Sequence, residues 1–97
     1  MTCQVILEFR VKQDCIEKLR TWMRQILPDT RGFEGCNTIY LVQNQDTPVS
    51  IMVVEQWTSR QHYEKYLQWR IETGVMAELT GMMDGEPSIR FFDYFGV

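Results

Sequence analysis

The order in which apolar residues change their spacing along the chain is the feature that most constrains its fold. Four segments predict β-strands, because their apolar residues alternate with polar ones or because β-branched and aromatic residues fill them. These segments are residues 3–11, 36–43, 49–57 and 88–95. Helical spacing predicts one helix after the first strand and a second helix, followed by a shorter helical stretch, before the last strand. The predicted order is βαββαβ.

The ends of the helices are marked by residues that cap or interrupt a helix. Asp14 predicts the start of the first helix, because its carboxylate can accept hydrogen bonds from the first free amides. Pro28 predicts the end of that helix, because proline lacks an amide donor. Thr58 or Ser59 is expected to cap the second helix, and Gly74 is expected to interrupt it.

The βαββαβ order predicts an α+β, ferredoxin-like fold, in which an antiparallel sheet carries its helices on one face. A length of 97 residues suits one small domain, and we expect a single domain over residues 1–97. The other face of the sheet needs cover, and the last predicted strand has aromatic residues on both sides. A second copy of the chain can supply that cover. We therefore expect a homodimer in which two sheets face each other and form a dimeric α+β barrel.

The composition excludes several classes of function. The net charge is −3 with Lys and Arg scattered, so the basic surface of a nucleic-acid-binding protein is missing. No apolar run suits a membrane span and no signal-peptide pattern is present, so we expect a cytoplasmic protein without a membrane partner. Three cysteines without CxxC spacing and a single histidine predict reduced structural thiols and no metal site. The sequence also lacks a glycine-rich loop of the kind that binds the phosphate groups of a cofactor, so we expect no cofactor.

A carboxylate on the third predicted strand is a candidate for a special role. Glu55 shares one face of that strand with apolar residues only, namely Val49, Ile51, Val53 and Trp57. An isolated buried charge is very costly, so Glu55 either has a cationic partner or faces a cavity. Arg31 is the cation that we expect to pair with Glu55, which would tie the turn after the first helix to the third strand.

Two short segments resemble a known family. They are Thr30-Arg31-Gly32-Phe33-Glu34-Gly35-Cys36 and, about twenty residues later, Glu55-Gln56-Trp57. In this order of elements they resemble the antibiotic biosynthesis monooxygenase family of small dimeric α+β barrel proteins. The resemblance implies oxidation of a phenolic or quinol-type aromatic molecule without metal or flavin, because the electron-rich ring itself reduces oxygen. The protein then binds the ring, favours its anion and excludes water.

The resemblance also implies which residues form the site. The spacing of Trp57 and Tyr63 is similar to that of the Trp and Tyr of the family's polyketide monooxygenases. Tyr63 is expected to bond a substrate phenol or peroxide, while the Trp57 indole donates toward a developing oxyanion. His62 is the candidate general base. The residues expected to contact the substrate are Tyr66, Arg31 and Met76.

Four positions depart from the family's pattern. Tyr66 stands where the family often has a histidine, and Val53 and Ala77 stand where the polyketide enzymes have Asn and Arg. Leu67 occupies the place of the axial histidine of haem-degrading relatives, so haem degradation is excluded. Two functions stay open: a cofactor-independent monooxygenase, or a ligand-binding or scaffold protein of the same fold without catalysis. A cavity for a bicyclic ring favours the first, and a closed site favours the second.

Overall fold

The computed structural model of the protein describes residues 2–97, which form four strands, three α-helices and one short 3-10 turn. The strands are β1 (Cys3–Arg10), β2 (Cys36–Gln43), β3 (Ser50–Trp57) and β4 (Ser88–Asp93). The α-helices are α1 (Ile16–Arg31), α2 (Arg60–Glu72) and α3 (Val75–Met82). All strand pairs are antiparallel, in the order β2-β3-β1-β4. The prediction of a ferredoxin-like α+β fold is confirmed.

The alternation of side chains in the two central strands decides which face of the sheet becomes the core. In β1 and in β3 every second residue is buried. The register pairs Val5 of β1 with Glu55 of β3, so the two buried rows lie on the same face. Leu19 of α1 and Leu79 of α3 pack against side chains of this face. The helices therefore cover one face of the sheet, as predicted.

The start of α1 differs from the prediction. Asp14 lies in a 3-10 turn, Gln13–Cys15, and α1 begins after that turn. The Cys15 amide donates to Lys12 O at 2.8 Å and closes the turn, so Asp14 lies inside the turn and the N-cap position of α1 falls on Cys15. No side-chain hydrogen bond caps either element. The prediction that Asp14 caps the first helix was therefore wrong.

Pro28 does not end α1, which continues to Arg31. The proline lies in the last turn, where it removes a single intrahelical donor. Tertiary hydrogen bonds hold that turn in place: Thr30 Oγ1 lies 2.7 Å from the Tyr66 hydroxyl and accepts from Arg70 Nη2 at 2.8 Å. The predicted helix end was wrong because these contacts with α2 outweigh the local preference of proline.

The start of α2 and its separation from α3 agree with the prediction. Ser59, one of the two expected caps, accepts a hydrogen bond from the His62 amide at 3.2 Å. Gly74 has a φ of +83°, in the left-handed region that glycine adopts without strain, and it separates α2 from α3. Within residues 2–97, none of the helices combines the length and the apolar character that crossing a bilayer requires.

The second face of the sheet is open to solvent in a single chain. Tyr40 and Val42 of β2 are 49% and 43% exposed, and Phe92 of β4 is 44% exposed. The last strand was expected to be covered on both sides, and residues 2–97 of one chain cover only the side of Phe91. An apolar sheet face of this kind is typical of an interface. The homodimer stays a prediction.

Candidate functional site

Three of the predicted site residues form one aromatic cluster beneath the helices. Trp57 ends β3, while Tyr63 and Tyr66 lie three residues apart on α2, so both tyrosine rings reach the indole. The ring centroids of Trp57 and Tyr63 are 5.7 Å apart, and those of Trp57 and Tyr66 are 4.9 Å apart. All three residues are buried. The aromatic cluster is therefore a packed part of the core.

Three further rings pack on the aromatic cluster, those of Phe33, Trp69 and Phe91, and the sequence indicated no role in the site for any of them. Phe33 packs edge-on against Tyr66 with centroids 5.3 Å apart, and Phe91 packs edge-on against Tyr63 at 5.7 Å. Phe91 also lines a surface recess of about 290 Å³, where the Arg60 guanidinium stacks on its ring at 3.8 Å. Phe91 thus stands between the recess and Tyr63. The alternation of β4 separates Phe91 from Phe92, but both sides of the strand are aromatic, and the register with β1 decides that Phe91 lies on the helix-covered face.

Glu55 is buried beside the aromatic cluster and has no cationic partner within residues 2–97. It is 3% exposed and accepts one hydrogen bond, from Trp57 Nε1 at 3.0 Å. The expected ion pair with Arg31 was wrong, because Arg31 Nη2 donates to Ile39 O at 3.3 Å. Since β2 is an edge strand, the carbonyl groups on its outer side have no neighbouring strand to bind. These carbonyl groups therefore compete with Glu55 for the Arg31 guanidinium. Glu55 therefore remains an uncompensated carboxyl group in the core.

Burial dominates the electrostatics of the aromatic cluster. It raises the pKa of Glu55 from the ordinary 4.5 to about 7, although the hydrogen bond from Trp57 favours the charged form. Burial also raises the pKa of Tyr63, and the negative charge of Glu55 raises it further. At neutral pH the site therefore combines a carboxyl group that readily gains or loses a proton with a phenol that keeps its proton.

A buried guanidinium on the other side of Tyr66 was also missed. Arg70 is 4% exposed, and its Nε donates to the Tyr66 hydroxyl at 3.0 Å. Its Nη2 donates to Thr30 Oγ1 at 2.8 Å and to Ile26 O at 2.7 Å. Burial raises the pKa of Tyr66 more than its bonds to Thr30 and Arg70 lower it. The spacing of four residues between Tyr66 and Arg70 on one helix face was the available signal. The Tyr66 hydroxyl is occupied by bonds that join α1 to α2.

His62 packs on the turn that precedes β2. Its Nδ1 lies 2.6 Å from Ser59 Oγ. Gly35 has a φ of +91°, and a Cβ at that position would lie 2.5 Å from atoms of the His62 side chain. Glycine is therefore required there both by the backbone angle and by the close approach of the imidazole. This contact explains one glycine of the Thr30–Cys36 segment, and it directs His62 toward the turn.

Arg31 and Met76 lie apart from the aromatic cluster. Met76 packs against the larger core that contains Leu79. Arg31 lines a cleft between α1 and β2 with a volume of about 280 Å³. Of the six predicted site residues, the structure brings Trp57, Tyr63 and Tyr66 into mutual ring contact and leaves the others at separate positions.

Comparison with known proteins identifies the family. The family model for antibiotic biosynthesis monooxygenases matches residues 3–70, which is most of the chain and includes Glu55 and Trp57. The chain belongs to the antibiotic biosynthesis monooxygenase family. The resemblance carried by the two short segments is thereby confirmed. No curated protein matches the chain significantly in sequence.

Several solved structures share the fold of this family member. A conserved protein from Methanosarcina mazei Go1 has a TM-score of 0.87 and 16% identity, with 95% of this chain and 91% of that chain covered. A structure described as an antibiotic biosynthesis monooxygenase has a TM-score of 0.84 and 17% identity, with 95% and 97% covered. A Deinococcus radiodurans protein that carries the same family name has a TM-score of 0.83 and 15% identity, with 100% and 95% covered. At these identities the likeness shows the fold alone.

Proposed function

We propose that this member of the family is a monooxygenase that oxidises a phenolic or quinol-type aromatic molecule without metal or flavin. The observation that supports the proposal most is the state of Glu55. Its carboxyl group is buried beside Trp57 and Tyr63 and has a pKa of about 7. An apolar residue of similar size would pack there without the cost of desolvating a charge. Buried groups with perturbed pKa values are enriched in catalytic sites.

The first proposed step is removal of the phenolic proton of the substrate. Glu55 accepts that proton, since a group with a pKa near the ambient pH is an effective proton acceptor. Trp57 donates its indole hydrogen to Glu55 and so positions the carboxylate. Tyr63 keeps its proton, because its pKa is raised, and donates a hydrogen bond to the reacting oxygen. Glu55 thus takes the role of base that the sequence suggested for His62.

The substrate itself supplies the electrons. In an anthrone-type methylene group, the ionised ring transfers electrons to oxygen and a C–O bond forms. Glu55 returns its proton to the peroxide and then removes the remaining hydrogen of that carbon as a proton. The C=O bond forms as the O–O bond breaks, and the hydroxide that leaves takes this proton and becomes water. One oxygen atom remains as a carbonyl and the other leaves in water, so the carbon loses four electrons and the oxygen molecule gains four. The surrounding Phe33 and Tyr66 rings exclude water from these steps.

Phe91 controls access in this proposal. Its ring lies between Tyr63 and the recess of about 290 Å³ that Arg60 also lines. Rotation of the Phe91 side chain opens the recess onto Tyr63, and the substrate ring takes the position that the Phe91 ring leaves. Side-chain rotations of this kind are fast compared with typical turnover. The part of the substrate that enters is therefore a flat aromatic ring.

Oxygen uptake with a panel of dihydroxynaphthalenes, anthrones and hydroquinones tests this function. The reactions contain a metal chelator and no added flavin. We expect uptake above the uncatalysed rate with at least one compound, and Tyr63→Phe should lower it about tenfold or more, because it deletes one donor in a desolvated site. Tyr94→Phe is the matched control, since Tyr94 is exposed in the chain and takes no part in the aromatic cluster. Unchanged uptake in Tyr63→Phe contradicts the assignment of Tyr63.

A non-catalytic ligand-binding or scaffold protein is the second candidate function. The observation that favours it is the direct packing of Trp57, Tyr63 and Tyr66, whose ring centroids lie 4.9 to 6.3 Å apart. A closed cluster of this kind also stabilises a core without any chemistry. The absence of uptake with every compound of the panel would favour this second function.

A further inference from the structure

A cleft between α1 and β2 has the features of a second ligand site. Its volume of about 280 Å³ lies near the lower limit of small-molecule sites, which is roughly 300 Å³. Its floor is apolar and is formed by Leu19, Met23, Leu27, Leu41 and Ile51. The residues of the proposed catalytic site, Glu55, Trp57 and Tyr63, do not line it. The cleft is therefore separate from the site of the proposed reaction.

Three arginines and no acidic residue line this cleft. Arg20, Arg24 and Arg31 all come from α1, beside the row of apolar residues that forms the floor. Their clustering is notable in a chain whose net charge is −3. Like charges at adjacent positions on a helix destabilise it. An anion bound between the guanidinium groups would offset this repulsion.

The guanidinium groups of the cleft have N–H donors that make no hydrogen bond within the described residues. Within residues 2–97, Arg24 makes neither an ion pair nor a hydrogen bond. Arg20 pairs at 3.3 Å with Glu17, an exposed contact of little energetic value. Arg31 uses Nη2 to bind Ile39 O. Each guanidinium carries five donors in a planar fork that matches the geometry of a carboxylate.

We propose that this cleft binds a small amphipathic anion, specifically an aromatic carboxylate. The ring lies on the floor formed by Leu19, Met23 and Leu27, and the carboxylate accepts hydrogen bonds from Arg20 and Arg24. These two arginines are four residues apart, about 6 Å along the helix axis, so one carboxylate reaches both. Charge complementarity selects the anion, and the apolar floor selects a flat hydrocarbon body over inorganic anions.

An NMR titration of the whole 15N-labelled protein with 2-naphthoate tests this proposal, independently of any oxygen chemistry. We expect saturable shifts of backbone amides around Leu27 and Leu41. Arg24→Gln should raise the Kd about tenfold or more, because it removes a charge-assisted hydrogen bond. Lys65→Gln, which removes an exposed positive charge on α2, should leave the Kd unchanged, because Lys65 does not line the cleft. The neutral analogue 2-naphthamide should bind at least about tenfold more weakly than 2-naphthoate.

Three outcomes overturn the proposal. If 2-naphthoate and 2-naphthamide bind with equal Kd, the arginines do not recognise the carboxylate. Shifts centred on Phe91 and Tyr63 move the ligand to the aromatic cluster. Failure of the wild-type protein to bind 2-naphthoate removes the site itself, and an accompanying shift of the monomer–dimer balance in Arg24→Gln would identify the cleft as a contact with a second copy of the chain.

Discussion

Replacing Glu55 by glutamine should change the pH dependence of stability in a defined direction. Glutamine keeps the shape of the side chain and an acceptor for the Trp57 indole, but it cannot ionise. In the folded protein the pKa of Glu55 is raised from the ordinary 4.5 to about 7. Between these two values the folded chain binds a proton that the unfolded chain has lost. The free energy of unfolding therefore falls as the pH rises from about 4.5 to 7.

The size of this effect follows from the two pKa values. A change from 4.5 to about 7 corresponds to roughly 3 kcal/mol, at about 1.4 kcal/mol for each pKa unit. The titratable neighbours Tyr63 and Cys36 do not obscure it, because burial raises both pKa values and keeps both groups protonated in this range. We subtract the free energy of unfolding of wild type from that of Glu55→Gln at each pH. This difference should be roughly 2–3 kcal/mol more positive at pH 8 than at pH 5.

Urea unfolding at pH 5, 6, 7 and 8 and one fixed protein concentration measures this difference. Comparing the two proteins at each pH cancels any constant cost of burying the amide. Glu64→Gln is the matched control, because Glu64 is an exposed partner of Arg60 and should give a difference that barely varies with pH. If the difference between wild type and Glu55→Gln is the same at pH 5 and pH 8, Glu55 does not have a raised pKa in the folded protein.

Three further predictions concern the framework of the site. Arg70→Met should lower the free energy of unfolding by roughly 1–3 kcal/mol, because it leaves buried hydrogen-bond acceptors without a donor. Arg60→Met on the surface should cost less than about 1 kcal/mol, and equal losses in the two variants would contradict the role of Arg70. Gly35→Ala should cost roughly 2 kcal/mol or more in a melting experiment, because of its φ of +91° and the close approach of His62. Sedimentation at micromolar concentration should show one dimeric species, and Val42→Glu on the open sheet face should shift it to monomer; a folded wild-type monomer would contradict the dimer.

The strands could be predicted from the sequence because their signal is local. The alternation that buries Val5 is visible in the sequence of β1 itself, and the face of Glu55 follows from the same rule applied to β3. The end of α1 could not be predicted, because the bonds that carry it past Pro28 come from Arg70, forty residues beyond Thr30. Local patterns contain no information about such a partner.

The candidate site was predictable in part for the same reason. The family spacing indicated Trp57 and Tyr63, and the structure brings their rings together. The pairing of Glu55 with Arg31 was inferred from charge alone, and charge does not reveal that Arg31 binds a free carbonyl of the edge strand instead. The position of Phe91 depends on β4 lying beside β1, which only the assembled sheet shows.

The most direct test of the proposed monooxygenase is isotope labelling of the product. The protein is incubated under 18O₂ with the phenol or anthrone that gives the highest oxygen uptake, and the product is analysed by mass spectrometry. We expect one 18O atom in each product molecule and the second in water, with the yield reduced in Tyr63→Phe and retained in Tyr94→Phe. A product without 18O, or one formed equally without the protein, would contradict the proposed monooxygenase.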